Sequence, residues 1–157
     1  EIDPGNGFRM LAIQAPGHTK DTTAYYMPEK KILFAAEAAG ALDLKGDLYP
    51  TFLSDYEQYV ASIRKLMGFE VEAYILGHGV VIKGEEASDF LQRAIEAAEK
   101  YRERIERYLK EENGNQEVVA ARIIREDYDE KKIIDQPRRS YSINVAARVR
   151  TIARLTE

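Results

Sequence analysis

Residues 8 to 15, Phe-Arg-Met-Leu-Ala-Ile-Gln-Ala, run in near alternation of apolar and polar positions until Pro16-Gly17 stops them, the period of a half-buried strand. The β-branched and aromatic residues from Thr22 to Met27 predict a second strand closed by Pro28-Glu29-Lys30, and Lys31 to Ala36 a third. Gly, Asp and Pro then crowd the stretch Gly40 to Thr51, which predicts a loop. From Ser54 the period becomes helical. Tyr56, Tyr59, Val60, Ile63 and Leu66 share one face, Gly68 ends the run, and Ser54 with Glu57 reads as a capping box. Val71 to Leu76 predicts a short buried strand before Gly77-His78-Gly79. One amphipathic helix is expected from Glu85 to Glu112, stopped by Asn113-Gly114-Asn115. Gln116 to Tyr128 predicts another, and Ser140 or Ser142 is placed to cap a last one.

Strands, a helix, a strand and then several helices make an α/β order. The 157 residues suit one domain burying roughly two-thirds of its unfolded surface. With 27 acidic against 23 basic residues, the net charge of -4 argues against a surface built as a whole for nucleic acid. The absence of cysteine excludes disulfides, thiolate metal sites and a cysteine nucleophile, and suits a reducing cytoplasm, the expected location. No apolar run approaches the roughly 20 residues of a membrane helix, and Glu37 interrupts the stretch from Ile32 to Ala39. The chain opens on Glu-Ile-Asp-Pro-Gly with neither an initiator Met nor a signal-like segment, so further sequence upstream is expected.

The two histidines share a context. Each follows a glycine in a turn after a predicted strand, in Gly17-His18-Thr19 and Gly77-His78-Gly79. Imidazoles at strand ends, on turns that glycine makes sharp, suit metal ligation; a plain polar turn is the simpler reading of either one alone. Glu37 sits between Ile32-Leu33-Phe34-Ala35-Ala36 and Ala38-Ala39-Gly40 with no neighbouring charge in sequence. A carboxylate buried there would need a cation, whereas one at a strand end can also reach solvent or an amide.

Ala15-Pro16-Gly17-His18-Thr19-Lys20-Asp21-Thr22-Thr23, then Tyr25 to Phe34, then Ile75-Leu76-Gly77-His78-Gly79 together resemble the second half of a metallo-β-lactamase-fold hydrolase, over roughly residues 8 to 109. The resemblance implies that His18, the acid at Glu37 and His78 are metal ligands. Glu37 stands where the family has the Asp of a Gly-Asp pair, one methylene shorter. The family's His-x-His-x-Asp-His motif, which belongs to the first half of the fold, is absent from these residues.

The resemblance therefore implies half of an αββα sandwich, one mostly antiparallel sheet plus helices, spanning residues 1–112 and followed by a helical C-terminal extension at 113–157. Its inner sheet face needs a cover, from an upstream half of the same protein or another chain, and a homo-oligomer is one way to provide it. The implied activity is metal-dependent hydrolysis of an ester, thioester or lactone. Zinc is the first expectation, with iron or manganese alternatives, as one or two ions in a completed site. Asp21 and Thr22 are candidates for orienting His18. Tyr49, Phe52, Tyr56 and Tyr59 are candidates for a small-molecule pocket, Tyr56 and Tyr59 reading equally as helix core. A non-catalytic dimerisation or partner-binding module is the alternative. Arg138, Arg139, Arg148, Arg150 and Arg154 form a basic C-terminal stripe that leaves a phosphodiester or RNA substrate as a lesser reading.

Overall fold

The computed structural model describes residues 2–156. Its main sheet consists, in spatial order, of β1 Leu11–Gln14, β2 Thr23–Met27, β3 Ile32–Ala36, β6 Ala73–Leu76 and β7 Val81–Lys83. All neighbours are antiparallel except β3 and β6, which run parallel because helix α1, Tyr56–Leu66, crosses between them. The 40–51 loop carries its own small hairpin, β4 Ala41–Leu42 with β5 Leu48–Tyr49. The fold is thus a mixed α/β arrangement built on one mostly antiparallel five-stranded sheet.

Register sorts the sheet residues into two faces. Tyr26, Leu33, Tyr74 and Ile82 stand opposite one another across four strands and are all buried. On this side Tyr74 meets Phe90, the first residue of a long helix, with ring centroids 4.8 Å apart. One residue along each strand the other row runs Ala12, Tyr25, Phe34, Ile75, Val81, and every member is partly or fully exposed. The helices cover one face and leave an apolar row on the other.

Several expected boundaries move. The Glu85 to Glu112 helix divides at Asp89 into α2, Glu85–Ser88, and α3, Phe90–Glu111. Helix α4 is Gln116–Ile124 and passes into a π-helical turn, Arg125–Glu130. Helix α5, Arg138–Thr156, begins at the Pro137 break, so Ser140 and Ser142 lie inside it and cap nothing. The cap of α1 is Asp55, whose carboxylate accepts from the Gln58 amide at 2.8 Å; Ser54 instead donates its hydroxyl to the Gly17 carbonyl. Buried apolar residues form one cluster running from Ile13 to Ala153, so residues of the extension such as Ile123, Val145 and Ile152 share a core with the sheet. Among the described residues no helix is long and apolar enough to cross a membrane.

Candidate functional site

The turn after β1 is built around Gly17. Its carbonyl accepts from the Leu53, Ser54 and Asp55 amides at 3.1, 3.0 and 3.3 Å, which ties the turn to the start of α1. Its φ is +131°, and a Cβ there would fall 2.3 Å from the Cα of Tyr59. Only glycine allows that approach. The approach sets His18 against the loop, where Nδ1 lies 2.5 Å from the Thr51 carbonyl oxygen. A carbonyl only accepts, so Nδ1 carries a proton, which in the neutral ring leaves the lone pair on Nε2, the tautomer a metal-ligating imidazole needs.

Glu37 follows an irregular strand end. The β3–β6 register shifts between Phe34 and Ala36, and Ala36 takes a left-handed φ of 47°. This kink swings Glu37 toward the end of β6. There its Oε1 lies 3.1 Å from His78 Nε2, with the carboxyl side chain about a quarter exposed and the imidazole mostly exposed. Gly77 makes room, since a Cβ at that position would sit 2.3 Å from Glu37 Oε1. His78 itself adopts φ 63°, a conformation that costs a non-glycine residue on the order of 1 kcal/mol and recurs at functional sites.

Thr51 joins the two parts. Its carbonyl holds His18, and its hydroxyl donates to the Glu37 carbonyl at 2.6 Å. Behind it stands Tyr59, wholly buried, its phenol pushed up to about 12 by burial and so neutral at physiological pH. Asp21 and Thr22 make no hydrogen bond to His18 among the described residues; both close on Thr19 within the turn, at 2.7 and 2.8 Å, and Thr51 takes the orienting role. Nothing local in the sequence marks Thr51, because its contacts to His18 and Glu37 span 33 and 14 residues.

Of the aromatic candidates, Tyr49 lines a cavity of about 280 Å³ with His78, Leu42, Val80, Asp135 and Gln136. Phe52 and Tyr59 are at 0% exposure and belong to the core, and Tyr56 faces a separate groove between α1 and α3 beside Arg102. Gln136 donates to the Tyr49 hydroxyl at 2.9 Å and the Leu44 amide to the Ile133 carbonyl at 2.8 Å, so the segment before α5 walls the cavity beside His78. Of the basic stripe, Arg148 is buried at 1% exposure and leaves the surface altogether.

The Metallo-beta-lactamase superfamily profile matches residues 1–78. A metallo-beta-lactamase family protein from Thermus thermophilus superposes with a TM-score of 0.63, at 17% identity, over 96% of this chain and 45% of its own. This chain has the metallo-β-lactamase fold. A stereoselective inverting sec-alkylsulfatase from a Pseudomonas species gives a TM-score of 0.58 at 13% identity, covering 99% of this chain and 25% of that one. A metallo-beta-lactamase from Pontibacter korlensis gives 0.50 at 21% identity, over 62% and 44%. The chain thus spans between a quarter and under a half of the length of these structures. The superfamily usually binds metal ions. The donor chemistry here is suitable, yet among the described residues no three His, Asp or Glu side chains come together closely enough to hold one. Glu37 and His78 meet, with the Oε1 of one and the Nε2 of the other, both ligand-type atoms, 3.1 Å apart. The residues of this chain by themselves do not fit a metal site.

Proposed function

We propose that the chain is the C-terminal part of a metal-dependent hydrolase, acting on an ester, thioester or lactone, that contributes His18, Glu37 and His78 to a site completed by residues outside these 157. The observation that carries this reading is the pairing of Glu37 Oε1 with His78 Nε2 beside a glycine whose missing Cβ leaves room for that carboxylate, at the end of the sheet where the Thr51 carbonyl holds His18 Nδ1. Three ligand-type side chains at strand ends, two of them held by backbone positions that cost stability, suit a centre awaiting its remaining donors. Zinc matches two imidazoles and a carboxylate, with iron or manganese the alternatives. A cysteine-free chain fits the cytoplasm. The row Ala12, Tyr25, Phe34, Ile75, Val81 would be covered by an apolar sheet face from an upstream half or a second copy.

The same bare row, with no complete donor group among the described residues, favours a second reading as a non-catalytic dimerisation or partner-binding module. Native mass spectrometry of the protein equilibrated with zinc separates the two. Zinc retained in a larger assembly, and lost in His18→Ala and His78→Ala variants that assemble normally, supports the hydrolase reading. A metal-free assembly that the same variants leave unchanged sinks it in favour of the second.

A further inference from the structure

Arg148 of α5 heads the largest side chains wholly inside the molecule, at 1% exposure. Its Nε and Nη1, and the buried hydroxyl of Tyr101 on α3 beside it, make no well-formed hydrogen bond among the described residues, the phenol and the guanidinium interacting only with each other's near side. The guanidinium is surrounded by phenols: its carbon lies 5.6 Å from the Tyr49 ring centre and 5.5 Å from that of Tyr101. The buried acid of this region is already committed, since Asp127 takes Arg104, Lys131 and Tyr141.

Ring faces offset part of the cost of burying the cation, but the desolvation penalty of an unpaired guanidinium is larger. A water molecule would satisfy the idle N–H groups and leave the charge uncompensated. An oxyanion satisfies both, and gives the Tyr101 hydroxyl an acceptor as well. Tyr49 and Tyr101 also line a groove of about 460 Å³ bordered by Arg93, Lys100 and Arg104 against the acids Asp47 and Glu96, which provides an approach as far as the Tyr101 ring. We propose that Arg148 and Tyr101 form a binding site for a small oxyanion, a phosphate, sulfate or carboxylate admitted between Tyr49 and Tyr101. The bound anion ties α5 of the extension to α3 and to the 40–51 loop. The proposal does not depend on the hydrolase reading.

The test is thermal unfolding of the full chain at constant ionic strength, with chloride replaced by phosphate or by acetate up to 20 mM, for the wild type, Arg148→Met and Tyr101→Phe. A site with a Kd on the order of 1 mM multiplies the folding equilibrium by about 20 at that concentration, raising Tm by roughly 4–7 °C. Arg148→Met is expected to lose the response while matching or exceeding the anion-free wild type in Tm, and Tyr101→Phe to weaken binding several-fold. A response to phosphate alone marks a tetrahedral inorganic anion; one to acetate marks a carboxylate ligand. A wild type that responds to neither, or variants that respond as the wild type does, overturns the proposal. Should Arg148→Met fail to fold, an unchanged Kd in Tyr101→Phe overturns it equally.

Discussion

Substituting alanine at Gly17 tests whether close backbone packing holds the first histidine turn. The new Cβ would lie 2.3 Å from Tyr59 Cα and 2.5 Å from both its N and Cβ, more than an ångström inside ordinary contact. These are backbone-anchored atoms of a buried helix, so no rotamer change relieves the clash. Overpacking of this kind costs about 1–3 kcal/mol and the φ of +131° adds on the order of 1–3 kcal/mol for a residue with a Cβ. A loss of about 2–6 kcal/mol, against a total stability of roughly 5–15 kcal/mol, should lower the urea midpoint by about 1–3 M. Gly77→Ala is the control: its Cβ meets only the end of the Glu37 side chain, and Gly77 is not among the glycines with positive φ. That variant should stay within about 1 kcal/mol of the wild type while displacing the carboxylate from His78. Equal midpoints for Gly17→Ala and wild type would refute the reasoning, as would a Gly77→Ala loss as large as that of Gly17→Ala.

Ala36→Gly relieves the left-handed φ of 47° and should stabilise the protein by roughly 0.5–1 kcal/mol after the entropy cost of glycine, seen as a rise in Tm. Asp55→Ala should cost about 1 kcal/mol in urea titration through loss of the α1 cap, and Ser54→Ala less, because the Gly17 carbonyl keeps three amide donors. Burial opposes ionisation of Glu126, but bonds from Tyr108, Arg104 and Arg122 outweigh it and hold its carboxyl below the usual range. Its folded pKa lies under its unfolded value, so its stabilisation is complete above about pH 4.3 and is lost as pH falls through the depressed pKa. The Tm gap between wild type and Glu126→Gln should therefore narrow from pH 7 to pH 3; a constant gap would count against the network.

Alternation and turn residues were enough to find β1, β2, β3, β6 and α1 within one to three residues, since each depends on local period and on Pro or Gly stops. Strand β7 escaped because three residues, Val81–Lys83, carry too little period to register. The break at Asp89 and the π-helical turn lie in sequences with unbroken helical patterning, and neither is marked by Gly or Pro. His18, Glu37 and His78 were legible as chemistry because two identical Gly-His contexts and one isolated acid stand out along a chain.

What the sequence determined by itself is the set of elements, their order, and the residue types available for ligation, all consequences of short-range period and backbone preference. Tertiary structure alone decided that Glu37 faces His78, that Thr51 orients His18, that Phe52 and Tyr59 are core, and that Arg148 of the basic stripe is buried among tyrosines. Those contacts join residues dozens of positions apart. They depend on strand register and on how helices pack across a sheet, which no local pattern of apolar and polar residues encodes.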